Sequence, residues 1–205
     1  MTFYQKIADL VAQLQAEADH ITPTRKAQLA KLAAYVASDP AAQLNFICTH
    51  NSRRSHLGQI WAAVAAAHYD LEDVRTFSGG TEATAFNPRA VAALERAGFR
   101  VDNPGGDNPR YAVHFAADQP PLVCFSKVYD DPVNPQQNFA AVMTCDHADA
   151  NCPFIPGANL RLPLTYVDPK EADDTPAETA RYDERLRQIG REIIYAFSLV
   201  GNPVT

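Results

Sequence analysis

Three features of the sequence predict an α/β fold with a parallel sheet. The first is a short apolar run, LNFIC, that ends at Cys48 and is followed at once by polar THNSRRS and an alanine-rich helical stretch. The second is the repetition of that order, with VRTFSGG reading as a strand closed by a glycine turn and NPRAVAALERAG as a helix. The third is length: at roughly 100–200 residues per domain, 205 residues make one domain with room for additions. Strand, helix, strand, helix in that order implies strands that run parallel, with helices on both faces of the sheet.

Each element has its own signal. Residues 3–18 space Phe3, Ile7, Leu10, Val11 and Leu14 at helical intervals. Thr22 then caps and Pro23 opens a second helix, which carries Leu29, Leu32, Ala33 and Val36 on one face and stops before Pro40. Residues 1–43 are therefore expected to form an N-terminal helical hairpin ahead of a main domain over 44–205. Within that domain Asn87 caps, Pro88 opens and Gly98 closes a helix. DNPGGDNPR is a turn-rich loop, and YAVHF and PLVCFS read as two strands after it, so a β insertion is expected at about 102–138. FAAVMTC is a further buried strand, CDHADANCP a short polar helix or loop, and a proline-broken stretch runs on to Asp174. Leu186, Ile189, Ile193 and Phe197 recur at helical spacing in the last segment, predicting a long amphipathic helix.

Composition excludes whole classes of function. With 46% hydrophobic and 20% charged residues the chain can bury a core. A net charge of −6 argues against a general nucleic-acid binder, which needs a basic face to displace counterions from phosphates. No apolar run approaches the roughly 18 residues of a spanning helix, and the first residues are amphipathic and acidic, unlike a signal peptide. No membrane partner and a cytoplasmic location are the resulting expectations. Reducing conditions disfavour structural disulfides, so Cys48, Cys124, Cys145 and Cys152 each read as core filler, metal ligand or reactive thiol.

Cys48 stands where the first strand ends, and Cys48-Thr49-His50-Asn51-Ser52-Arg53-Arg54-Ser55 has the pattern C-x5-R followed by Ser. A loop there gathers backbone N–H groups and a helix N-terminus around one point, forming an oxyanion cradle. A thiol in such a cradle is favoured as thiolate, the nucleophilic form. The planar fork of Arg54 can grip two oxygens of a tetrahedral anion. Ser55 can hydrogen-bond the thiolate, and Asn51 can hold the loop open. Without those contacts Cys48 would be an ordinary buried strand-end residue.

CTHNSRRS, with SGGTEATAFNPRAVAALERAGF downstream, resembles the low-molecular-weight protein tyrosine phosphatase superfamily, and within it the thioredoxin-coupled arsenate reductases. The resemblance runs from about Leu44 to Phe197 and implies a four-stranded parallel sheet flanked by helices, with a covalent cysteinyl intermediate. It also implies that residues 49–55, namely Thr49, His50, Asn51, Ser52, Arg53, Arg54 and Ser55, bind the oxyanion. His50 stands where the family has Gly and Arg53 where it has a small residue; Arg53 either strengthens the local positive potential or points to solvent. In the reductases a Glu on the first helix helps hold a potassium ion, and counting along from the loop puts Gln59 there.

Cys145 and Cys152 lie seven positions apart. On a continuous helix their sulfurs would be about 10 Å apart on one face, whereas a disulfide needs Cα atoms within about 7 Å. The reductases carry the same C-x6-C followed by Pro, which implies a segment that changes conformation in turnover. Three readings stay open: a disulfide relay, zinc held by Cys145, His147 and Cys152, and a phosphatase that merely retains the thiols. Cys124 sits in an apolar run and reads as core, and His56, His68, His114 and His147 have no partner that the sequence identifies.

The superfamily's general acid is an Asp before Pro ahead of the last helix, and Asp168-Pro169 fits that order, whereas Asp131-Pro132 reads as a turn. Lys170 follows where the phosphatases carry an aromatic, which leans toward a small inorganic oxyanion. The expected enzyme is an arsenate reductase using Cys48 as nucleophile, Arg54 as clamp, Asp168 as acid and Cys145 and Cys152 as relay, with thioredoxin as donor. A phosphatase working through Cys48, Arg54 and Asp168 alone is the alternative, and an oxyanion-binding regulatory module is the non-enzymatic one.

Overall fold

A computed structural model describes residues 2–200. Met1, at the head of the expected hairpin, and 201–205, at the end of the expected main domain, lie outside the described residues. Four parallel strands form the central sheet: β1 (Gln43–Cys48), β2 (Arg75–Gly80), β6 (Phe139–Met143) and β7 (Ala158–Pro163), in the order β2-β1-β6-β7. Three short strands, β3 (Arg100–Asp102), β4 (Tyr111–His114) and β5 (Leu122–Cys124), make a separate antiparallel sheet within the middle segment.

The side chains of β1 and β6 alternate between two cores, as a pleat of period two requires. Leu44 and Phe46 of β1, with Ala140 and Val142 of β6, face the larger core, which also holds Trp61 and Phe197. Ile47, Ala141 and Met143 face a smaller one on the opposite side. The larger core is roofed by helices α3 (Arg54–His68) and α6 (Glu178–Ser198). Close approach of these two helices depends on Gly190, where an added Cβ would lie 2.5 Å from the Trp61 ring. Helices α1 (Gln5–Ala16), α2 (Pro23–Ser38) and α4 (Pro88–Ala97) each pack on α6, and Ile7 and Leu14 of α1 with Leu29 and Leu32 of α2 join the same core. The expected caps form: Thr22 and Asn87 accept N–H bonds from Arg25 and Arg89, and Gly98 ends α4 at φ 109°.

The second face carries only α5 (Asp146–Asn151) and irregular chain around Tyr129, so the helices are far from evenly shared. β7 was hidden in the proline-broken stretch: its burial is mixed and it ends on Pro163, so neither alternation nor an apolar run marks it. Pairing with β6 makes it a strand.

Order β2-β1-β6-β7 determines where a site can form. The chain leaves β1 through α3 toward β2 on one side, and leaves β6 through α5 toward β7 on the other. Connections that diverge from neighbouring parallel strands open a crevice at their carboxyl ends. Cys48 is the last residue of β1, and Cys145 follows β6 by two residues.

Candidate active site

The loop between β1 and α3 is tied outward through its carbonyls. Those of Cys48 and Thr49 accept from the N–H groups of Thr81 and Glu82 (3.1 and 2.8 Å), and that of Ser52 from Asn87 (2.8 Å). The His50 carbonyl accepts from the Ser126 and Thr84 hydroxyls (2.9 and 3.2 Å). With its carbonyls bonded outward, the loop turns its amides toward the centre and becomes an anion nest. Gly80 permits this packing, because a Cβ there would come within 2.3 Å of the Glu82 carbonyl oxygen and 2.7 Å of Asn51 N.

The left-handed residue of the loop is Asn51, at φ 44°, and not His50; Asn tolerates that region. Its side chain is fully buried and works at both ends. Oδ1 accepts from the backbone N–H of Lys127 (2.9 Å), and Nδ2 donates to Ser55 Oγ (2.8 Å). Because Ser55 Oγ already accepts from Asn51, its own hydrogen is free to donate to Cys48 Sγ, 3.1 Å away.

Arg54 opens α3 and reaches over the loop. Nη2 meets Asp168 Oδ2 at 2.6 Å and Nη1 donates to the Tyr166 carbonyl at 2.8 Å, while Nε is buried with no hydrogen-bond partner in the described structure. Cys48, His50, Ser52, Arg53, Arg54 and Asp168 together line a narrow cleft. Asp168 caps a short 3₁₀ turn, Pro169–Ala172, which places its carboxylate on the clamp. Asp131, the rival Asp-Pro, instead holds a turn by accepting from Val133 N–H at 3.0 Å.

Two of the cleft's lining residues are also held by partners outside it. Ser52 donates its hydroxyl to the Ala85 carbonyl at 2.7 Å. Arg53, for which solvent was one expectation, is largely buried: Nε donates to Tyr182 Oη at 2.8 Å and Nη2 lies 3.4 Å from Asp173. Tyr182 donates in turn to Asp173 (2.8 Å), and its pKa is pushed up to about 12, by burial first and then by that acceptor.

The second pair of thiols flanks α5. Cys145 is buried and caps the helix, accepting from Ala148 N–H at 3.4 Å, and Cys152 ends it half-buried. Cys48, Cys145 and Cys152 border one apolar cluster at the ends of β1 and β6. Thr49, next to the nucleophile in sequence, has its Oγ1 3.4 Å from Cys145 Sγ and 3.3 Å from His147 Nδ1. Cys124 lies in the other core, where burial pushes its thiol up to about 12. Among the described residues no group of three or more His, Cys, Asp or Glu is arranged to hold a metal ion.

Gln59 donates its amide to the Thr76 carbonyl (3.2 Å), and its Oε1 is buried with no hydrogen-bond partner in the described structure. Lys127 supplies a buried cation, whose charge adds to burial in holding His56, three residues before Gln59, neutral.

No family model matches the chain. It is 26% identical over 149 residues to the arsenate reductase of Bacillus subtilis and 28% identical over 149 residues to that of Halalkalibacterium halodurans; each match covers 72% of this chain and 89% of the relative. The fold matches a low-molecular-weight phosphotyrosine phosphatase of Vibrio cholerae, with a TM-score of 0.52 at 13% identity over 75% of this chain and 93% of that one. It also matches an arsenate reductase in a phosphate-binding state, with a TM-score of 0.50 at 14% identity over 78% and 98%. The chain has the fold of the low-molecular-weight protein tyrosine phosphatases. Its sequence is arsenate-reductase-like, and it is an enzyme. Among its described residues no helix is long and apolar enough to cross a membrane.

Cys48, Arg54 and Asp168, singled out in the sequence, come together at the cleft. The contact of His147 with Thr49 was not legible: His147 was read as a candidate zinc ligand with Cys145 and Cys152 or as a histidine without an identified partner, and Thr49 is 98 residues away.

Proposed function

We propose that the protein reduces arsenate to arsenite. The observation that carries this reading is the clustering of three thiols, Cys48, Cys145 and Cys152, at the crevice between β1 and β6, while the fourth stays in the core. Cys48 thiolate attacks As(V) and expels water, forming an S–As bond, with Asp168 supplying the proton to the leaving oxygen. Arg54 and the loop amides of residues 49–55 hold the remaining oxygens. Arsenate must first displace Asp168 from Arg54, which frees that carboxyl for its acid role.

Cys145 thiolate then attacks Cys48 Sγ. The S–As electron pair stays on arsenic, which leaves as As(III), and a Cys48–Cys145 disulfide remains. Cys152 attacks Cys145 and returns Cys48 as thiolate. A Cys145–Cys152 disulfide cannot span an intact α5, so the helix unravels at this step. An external dithiol, with thioredoxin the expected donor, supplies the two electrons that close the cycle. Asn51, bonded to the Lys127 backbone N–H and to Ser55, holds the loop in shape.

A second reading is favoured by the cleft itself, since Cys48, Arg54 and Asp168 suffice for hydrolysis of a phosphate monoester through phosphocysteine. Thioredoxin-coupled arsenate turnover and p-nitrophenyl phosphate hydrolysis separate the two. Cys145→Ser and Cys152→Ser are expected to abolish the first and leave the second within about threefold. Normal arsenate turnover by both variants would remove the relay.

A further inference from the structure

Cys145 must lose a proton before it can attack, yet it is 1% exposed and lies against Ile47, Met143 and Ala148. Burial denies its proton a direct way out to water. The structure supplies both a partner and an exit. Thr49 Oγ1 stands 3.4 Å from Cys145 Sγ and 3.3 Å from His147 Nδ1, so one hydroxyl touches the buried thiol on one side and an imidazole on the other. His147 is exposed, with its ring at the surface.

We propose that Thr49 and His147 form a proton relay that deprotonates Cys145, with His147 as the positioning base at its solvent end. The hydroxyl suits this task because it accepts and donates at once. In the resting state Cys145 S–H donates to Thr49 Oγ1, and Thr49 O–H donates to Nδ1 of a neutral imidazole whose hydrogen is on Nε2. Transfer moves the thiol proton to Oγ1 and the hydroxyl proton to Nδ1. The products are a thiolate that accepts from Thr49 and an imidazolium that donates to it, with no net change of charge. The imidazolium then releases its Nε2 proton to water.

Electrostatics around the relay are sparse. β1 and β6, the strands that α5 packs against, carry no charged residue, and Cys48 is their one other titratable group. On α5, Asp149 is paired with Arg161 of β7 at 2.6 Å and Asp146 is exposed. On the loop, His50 lies 3.8 Å from Glu82. Tyr129 borders the cluster from the middle segment, near Cys152. Thr49 sits directly between Cys145 and His147 and gives the pair its one shared hydrogen-bonding group.

The inference rests on the reductase reading for its purpose but not for its test. In full-length protein carrying Cys48→Ser, Cys124→Ala and Cys152→Ser, Cys145 is the single thiol, and its iodoacetamide alkylation, followed by mass spectrometry from about pH 5.5 to 9, reports thiolate directly. His147→Asn is expected to lower the rate near pH 7 about tenfold, the effect of one pK unit, and added imidazole is expected to restore it. Thr49→Val should match that loss and Thr49→Ser should not. Alkylation profiles of His147→Asn and Thr49→Val that superimpose on the parent would overturn the relay, whatever the substrate is. If the alkylation result holds while wild type fails to reduce arsenate, the reductase reading falls and the relay stands.

Discussion

Cys124 and Cys145 are equally buried, at 0% and 1% exposure, and are chemically opposite. Cys124 ends β5 among apolar side chains, with its thiol pushed up to about 12 by burial. Cys145 has a hydroxyl, a backbone N–H and, one atom further, an imidazole. Both lie at or just past the end of an apolar strand, so burial does not separate a reactive thiol from an inert one. Position does: Cys145 lies at the crevice where the sheet's connections diverge, and Cys124 lies in the smaller sheet away from it.

The sharpest test of this contrast replaces a cysteine in each setting. Cys48→Ser is expected to lower p-nitrophenyl phosphate hydrolysis by about 10⁴-fold or more, because the thiolate is the attacking group. Cys124→Ala should leave that activity within about twofold and lower unfolding stability by about 1 kcal/mol, through the volume it vacates. A Cys124 variant as inactive as Cys48→Ser would erase the distinction.

A smaller effect separates the two adjacent arginines. Arg54 aims its fork at Asp168 in the cleft, whereas Arg53, 3.9 Å from Asp168, makes its hydrogen bonds to Tyr182 and Asp173. Arg54→Lys retains charge but loses two-pronged contact, so kcat/KM for p-nitrophenyl phosphate should drop about 10- to 100-fold, the worth of one charge-assisted bond. Arg53→Lys should cost less than about fivefold and act on stability instead. Equal losses would mean that both guanidiniums bind the oxyanion.

These contrasts also mark how far the sequence could be read. Cys48, Arg54 and Asp168 were legible because strand-loop-helix order and the Asp-Pro dipeptide are local signals. The order β2-β1-β6-β7, which brings Cys145 beside the loop, depends on pairing between segments about 100 residues apart, and local periodicity carries none of that. Arg53 was ambiguous for the same reason, since Tyr182 and Asp173 lie 129 and 120 residues away. β7 escaped because partners, not its own pattern, make it a strand.

The gentlest prediction concerns a histidine that contrasts with the exposed His147. His56 is fully buried, stacked on Phe86 at 4.0 Å, with Nδ1 3.2 Å from Ser78 Oγ. Burial first, and the Lys127 ammonium second, hold its pKa well below 6.5. An unfolded chain takes up that proton near pH 6.5 while the folded one does not, so the unfolded state binds more protons below that point. Stability contributed by neutral His56 is therefore complete above about pH 6.5 and declines as pH falls below it, by at most about 1.4 kcal/mol per pH unit. His68 shifts in the same direction but is partly exposed, so its share is smaller. The carboxylates held low, Glu17, Asp118 and Glu178, begin to contribute only nearer their unfolded values of about 4. Urea unfolding between about pH 7 and 5 isolates the histidine slope. His56→Gln should lower stability throughout and flatten that slope, and a variant as steep as the parent would assign the pH dependence to other groups.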